Sequence, residues 1–244
     1  MHGASAVAAN PERIESVFLN DELSNNGIYG LNFYVLGVPT TVLIDDTMPL
    51  DASGNMIFAR ESKDGALWGP ILEKGFAKLS GTYENIVGGD PIISIQTLTG
   101  APSIRLYHKG HAANLETFNK HPEIVQYEAL GVFEAIQNAP KDSMLSALSP
   151  GTSNTELTSS GLTQAHVYTI LDSHIVEGER LLRIRNPWGQ ETYRGPWSDD
   201  DARNWDKSLQ QEAKTFKERF PELYKNEDNG IFFIDYITYF NEFH

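Results

Sequence analysis

The chain has 244 residues, 19 Lys and Arg against 33 Asp and Glu, a formal net charge of −14, and no cysteine. That length suffices for one large domain or two small ones, and the 40% hydrophobic content is ordinary for a soluble globular protein. The acidic balance argues against nonspecific binding to nucleic acid or an anionic membrane, the lack of cysteine excludes disulfides, and a solvated surface is its ordinary reading over Ca²⁺ binding.

Residues 3–9, GASAVAA, are small and helix-compatible until Asn10-Pro11 interrupts them. They lack a capping signal and read as the end of a helix that starts before Met1. They also lack the basic start and apolar core of a signal peptide. Residues 28–38 and 40–44 are apolar runs separated by Pro39, and read as a hairpin or two adjacent strands. Trp68, Leu72, Phe76, Leu79 and Tyr83 recur at helical spacing. That predicts an amphipathic helix with its aromatic stripe in the core, ended by Gly88-Gly89. Residues 91–110 mix short β-rich runs with Gly and Pro. Residues 123–138 look helical, 144–148 like a short strand, and 150–160 like a polar loop. Residues 195–230 are acidic, with a helix expected near 207–219, and 231–240 (IFFIDYITYF) is a strongly β-prone run. No stretch has the length of a membrane helix, so a cytosolic setting is expected.

The stretch carrying chemistry is 161–189. Residues 166–173 and 180–185 alternate as strands around the turn chemistry of Glu177-Gly178-Glu179. His166 opens the first strand. Asn186 closes the second, because Pro187 cannot continue a ladder. An antiparallel pair brings His and Asn to one edge. A His oriented by an Asn is the base half of a thiol-protease site, with the cysteine supplied elsewhere. A lone His on a strand is usually structural, an Asn before Pro is usually a turn residue, and Trp188 taken alone is core. The remaining histidines, including His108, His111, His121 and His174, read as surface or structural. A metal-dependent hydrolase is excluded, since there is no His pair at ligand spacing and no HExxH.

Six segments in order resemble the calpain protease core, the papain-like cysteine endopeptidases built from two lobes around a cleft. Residues 42–49 (VLIDDTMP) resemble VxVDDxLP. Residues 67–78 (LWGPILEKGFAK) resemble FWxxLLEKAYAK, with 83–89 following as YExxxGG. Residues 165–168 (AHVY) resemble GHAY, 183–189 (RIRNPWG) match without change, and 195–199 (GPWSD) resemble GxWxD. Residues 230–236 resemble the closing GxFWMSxxDF.

The resemblance implies an α+β, papain-like fold, with residues 1–89 the remnant of a helical lobe and 90–244 a β-rich lobe carrying the His and Asn. It implies an intracellular cysteine endopeptidase making limited cuts in protein or peptide substrates, with no cofactor required for the chemistry. His166 is then the general base, Asn186 its orienting partner, and Trp188 the shield over their hydrogen bond. Gly89 resembles a glycine whose backbone pairs with bound peptide, and Ala165 stands where the family has Gly. The nucleophile belongs to a GxCW motif about three residues before Met1, so the chain itself is expected to be inactive, by truncation or by natural loss of the thiol. A catalytically inactive, calpain-like protein-binding module is the alternative. Calcium is the weakest implication. The Glu of a first site falls on Ala66. At a second site Asp199 matches, but Thr192, Asn229 and Ile231 replace acids, with Glu191 and Asp228 one position off.

Overall fold

The apolar stretch at 28–44 folds as an antiparallel hairpin of β1 (Ile28–Val35) and β2 (Val38–Asp45). The turn is Leu36-Gly37, both with positive φ (51° and 80°), the two-residue geometry that matches strand twist. Pro39 therefore does not separate two runs. It lies within β2 opposite Tyr34. The structure is a computed structural model and describes every residue except 1, 21, 63–64, 111–118, 122–123, 208–213 and 244. It divides into two units, Met1–Ile104 and Arg105–His244.

In the first unit α1 (His2–Ala8) is followed by α2 (Pro11–Glu15), whose N-cap Asn10 accepts from the Glu12 amide. The expected amphipathic helix is α3 (Trp68–Ser80). It stops at Gly81, with φ 98°, rather than at Gly88-Gly89; a 3₁₀ turn at Glu84–Ile86 follows. Its buried face is Ile71, Leu72 and Gly75, while Trp68 is 37% exposed and Tyr83 stacks on Phe58 beyond the helix. Only Leu72 of the expected stripe is fully buried. A Cβ on Gly75 would lie 2.3 Å from Leu31 Cδ1, so glycine is what lets α3 lie on β1.

Residues 91–99 are a helix, not β-rich runs. This is α4 (Pro91–Thr99), capped by Asp90 onto the Ile92 amide, begun by Pro91 and ended by Gly100 in the left-handed region. Asp-Pro before the run and Gly after it are standard start and stop chemistry. They outweigh the β-branched residues between, because Ile95 and Leu98 find a core.

The second unit begins with β3 (Tyr107–His108) and β4 (Gln126–Tyr127), a two-residue parallel ladder. Helix α5 (Ala129–Gln137) follows, then an antiparallel sheet in the order β5 (Leu145–Leu148), β6 (Val167–Val176), β7 (Glu179–Arg185), β8 (Ile231–Asp235). The β6–β7 turn repeats the Leu36-Gly37 solution: Glu177 and Gly178 have φ of 50° and 84°. The β-prone run at 231–240 splits. Asp235 accepts from the amides of Ile237 and Thr238 and caps α8 (Tyr236–Glu242). One sheet face packs Leu182, Ile184, Phe232 and Ile234 against Phe133 and Tyr168. The other carries Leu181 and Phe233 beneath Trp197, Trp205 and Phe216, contributed by the acidic stretch. Of the helix expected near 207–219, the structure describes α7 (Phe216–Arg219), after a short α6 (Ala202–Trp205); residues 208–213 lie outside the described ones.

Candidate active site

The β6–β7 register pairs Thr169 with Arg185. His166, just before β6, and Asn186, just after β7, therefore reach one end of the sheet. His166 Nε2 lies 3.0 Å from Asn186 Oδ1, and both residues are buried, at 0% and 1% exposure. The Asn186 amide is oriented by backbone. Its Oδ1 also accepts from the Trp188 N–H at 3.0 Å, and its Nδ2 donates to the Gln190 carbonyl at 3.0 Å. Because Oδ1 is an acceptor, the proton of the neutral imidazole sits on Nε2 and the lone pair on Nδ1. Burial lowers the His166 pKa from its ordinary 6.5, and the Asn186 hydrogen bond opposes that only in part. The ring is thus a neutral base at physiological pH.

Two aromatic rings pack on the imidazole. Trp188 is 4.3 Å away, centroid to centroid, tilted by 54° and half exposed, so it covers the pair from the solvent side. Tyr168 stands edge-on at 5.0 Å and 86°, with its hydroxyl accepting from the Thr163 amide. Behind Asn186, its own amide donates to the Gly230 carbonyl at 2.8 Å. Gly230 has φ 78°, and a Cβ there would meet the Asn186 carbonyl at 2.9 Å.

Ala165 adopts φ 45°, the left-handed region, a conformation that glycine takes more readily than an L side chain. Its amide donates to the Pro150 carbonyl at 3.0 Å. Gly89 lies in the first unit, on a hollow of about 270 Å³ shared with Gly3, Phe76, Val87 and Ile93. Open space surrounds the place a Cβ would take on Gly89.

Asp199 is 8% exposed and sits beside Glu191, and both are occupied with backbone. Glu191 Oε1 accepts from the Asp199 amide at 3.3 Å, and Asp199 Oδ2 from the Glu227 amide at 3.2 Å. Asp228 Oδ1 accepts from the Glu191 amide at 3.0 Å. Burial, and then the Asp199 charge, push Glu191 up to about 8; Asp199 is raised as well, chiefly by burial. Among the described residues no group of three or more His, Cys, Asp or Glu is arranged to hold a metal ion, and these three carboxylates are turned to backbone amides, so the residues present do not form a calcium site.

Of the other histidines, His108 is buried and binds the Phe243 carbonyl through Nδ1 at 2.9 Å, and His174 contacts Asp172 at 2.8 Å. His111 lies outside the described residues. Sequence reading missed Ser149, buried against the backbone of His166. The signal for it was the short strand at 144–148: paired with 167–170, it sets residue 149 opposite residue 166. Among the described residues no helix is long and apolar enough to cross a membrane.

Residues 1–244 match the family described as "Calpain family cysteine protease". The chain is 30% identical over 236 residues to the calpain-type cysteine protease ADL1 of Oryza sativa subsp. japonica, covering 96% of this chain and 10% of that protein. It is 34% identical to the calpain-type cysteine protease DEK1 of Zea mays, covering 80% and 9%. To calpain-12 of Mus musculus it is 31% identical, covering 88% and 27%. The chain thus spans about a tenth to a quarter of the length of these curated relatives.

Proposed function

Because the chain belongs to the calpain family of cysteine proteases, we propose that it carries the His–Asn half of a Cys-His-Asn site for limited cleavage of protein substrates. The observation that carries this reading is the 3.0 Å contact from His166 Nε2 to an Asn186 oxygen whose orientation the backbone fixes. In the papain-like arrangement, residues 1–89 belong to the helical lobe and 90–244 to the β-rich lobe; Gly89 and Ala165 are each, by the resemblance, a backbone contact for extended peptide.

The chemistry follows from the tautomer. A thiol gives its proton to His166 Nδ1, producing a thiolate and an imidazolium. Asn186 holds the ring in plane throughout, and Trp188 keeps water from the Nε2–Oδ1 bond. The thiolate attacks the scissile carbonyl carbon. The Nδ1 proton then passes to the departing amine, leaving an acyl-thioester that water hydrolyses. No step runs through calcium.

The chain contains no cysteine, which favours a second reading: a calpain-like module that binds proteins without cutting them. Casein cleavage separates the two. The 244-residue chain is inert in both. A chain extended ahead of Met1 by a segment with Cys in a GxCW motif should cleave casein, and its His166→Ala variant should not. A folded, extended chain that stays inert speaks for the binding module.

A further inference from the structure

Ser149 follows β5, and its side chain is 1% exposed. It meets the backbone of His166 at both ends of the residue. The Ser149 amide donates to the His166 carbonyl at 2.9 Å, and the His166 amide donates to Ser149 Oγ at 3.1 Å. The hydroxyl has one proton, and the shortest acceptor for it is the Thr163 carbonyl at 2.6 Å; the His166 carbonyl lies at 3.0 Å. One hydroxyl therefore ties the residue at 166 to the loop at 163, whose amide in turn donates to the Tyr168 hydroxyl at 2.8 Å.

The His166 backbone needs such a tie. The preceding Ala165 has φ 45°, a conformation that an L side chain resists. His166 precedes the β5–β6 ladder, whose terminal pair is Leu148 and Val167. Backbone thus holds the carbonyl at 166, through the Ser149 amide, but leaves the amide at 166 to the Ser149 hydroxyl. Ser149 extends the ladder by one step, using a side chain where an unbroken strand would use backbone.

We propose that Ser149 is a positioning residue for His166: its buried hydroxyl fixes the backbone from which the imidazole reaches Asn186, and so holds Nε2 at the acceptor that sets its tautomer. This rests on the reading of His166 and Asn186 as the base half of the site. Replacing Ser149 changes the ring's hydrogen bond without touching the ring. Replacing a residue that only fills the core does not.

The test is NMR on the 244-residue chain with ¹⁵N-labelled histidine. In the wild type His166 should show a protected ring N–H on Nε2, with a cross-relaxation contact to the Asn186 side chain. In Ser149→Ala that proton should exchange roughly tenfold faster, the factor expected for loss of one ordinary hydrogen bond, and the two tautomers should mix. Ser149→Thr, which keeps the hydroxyl, should restore protection. Ile136→Val thins the core of the same unit and should leave the His166 signals unchanged. Protection retained in a folded Ser149→Ala chain, or lost equally in Ile136→Val, overturns the proposal. Absence of the Nε2–H tautomer in the wild type instead overturns the underlying reading of the His–Asn pair.

Discussion

Asn186 Nδ2 donates to the Gln190 carbonyl four residues on, at 3.0 Å, and that contact decides which nitrogen of His166 carries the proton. If the amide were flipped, Nδ2 would face the imidazole and meet the Trp188 N–H as donor against donor. The PWGQ loop is therefore part of the site, since it converts a flexible amide into a fixed acceptor.

Asn186→Ala removes the acceptor for the Trp188 amide and for His166 Nε2 together with the donor to Gln190, all at a buried residue. It should destabilise the chain by about 2–3 kcal/mol, read from urea unfolding at neutral pH. A loss below about 0.5 kcal/mol, the size of an ordinary surface effect, would mean that the amide is not held as described.

The part of the stability that comes from His166 should fall on mild acidification. Burial holds the His166 pKa below its ordinary 6.5, so as pH drops the unfolded chain takes up a proton before the folded one does. The contribution is fully present above the unfolded value and is lost as pH falls from there toward the folded one. Glu191, raised to about 8, and Asp199, also raised, gain stability over the same range and oppose this, so the His166 contribution is read as a difference: the urea midpoint of the wild type should lose ground to that of His166→Gln as pH falls below about 6.5. An equal slope in the variant would assign the effect to other groups.

Gly230→Ala places a methyl 2.9 Å from the Asn186 carbonyl and Gly189 Cα, at a residue with φ 78°. Neither obstacle is a side chain that can swing away. The expected cost is about 1–3 kcal/mol, together with a shifted His166 ring N–H resonance. Gly178→Ala is the control, because its φ is 84° but nothing lies within 4 Å of the added carbon. Equal effects on the resonance would show that backbone strain alone is at work.

Calcium should leave this chain unchanged. Glu191, Asp199 and Asp228 already accept backbone amides. Titration calorimetry should find no site tighter than about 10⁻³ M, the weak end for calcium modules, and chelators should not shift the melting curve. A micromolar site abolished by Asp199→Asn would contradict this.

The sheet end that holds the site was legible because a period-two pattern, a turn and a Pro stop are local signals. The register between 169 and 185 follows from them, and with it the meeting of His166 and Asn186. Residues 91–99 misled because β-branched side chains set a β-like texture, while the deciding information sat outside the run, in Asp90-Pro91 and Gly100. The run at 231–240 misled for the same reason, since Asp235 restarts the chain as a helix within one apolar stretch.

Ser149 was only half legible: the short strand at 144–148 was visible, but the residues around 149 do not say that it lies beside β6, and the role of Ser149 depends on that pairing. Trp68 shows the converse: helical spacing identified the helix and Leu72 on its covered face, but that face continues through Ile71 and Gly75 rather than through Trp68.

The central claim is that His166, oriented by Asn186, is built to take a proton from a thiol. The most direct test is the pH dependence of alkylation by iodoacetamide in the chain extended ahead of Met1 with Cys in a GxCW motif. This thiol should react as a thiolate well below its free pKa of about 8.5, and His166→Ala should return the profile to about 8.5. A folded, extended chain whose thiol titrates near about 8.5 with His166 intact would contradict it.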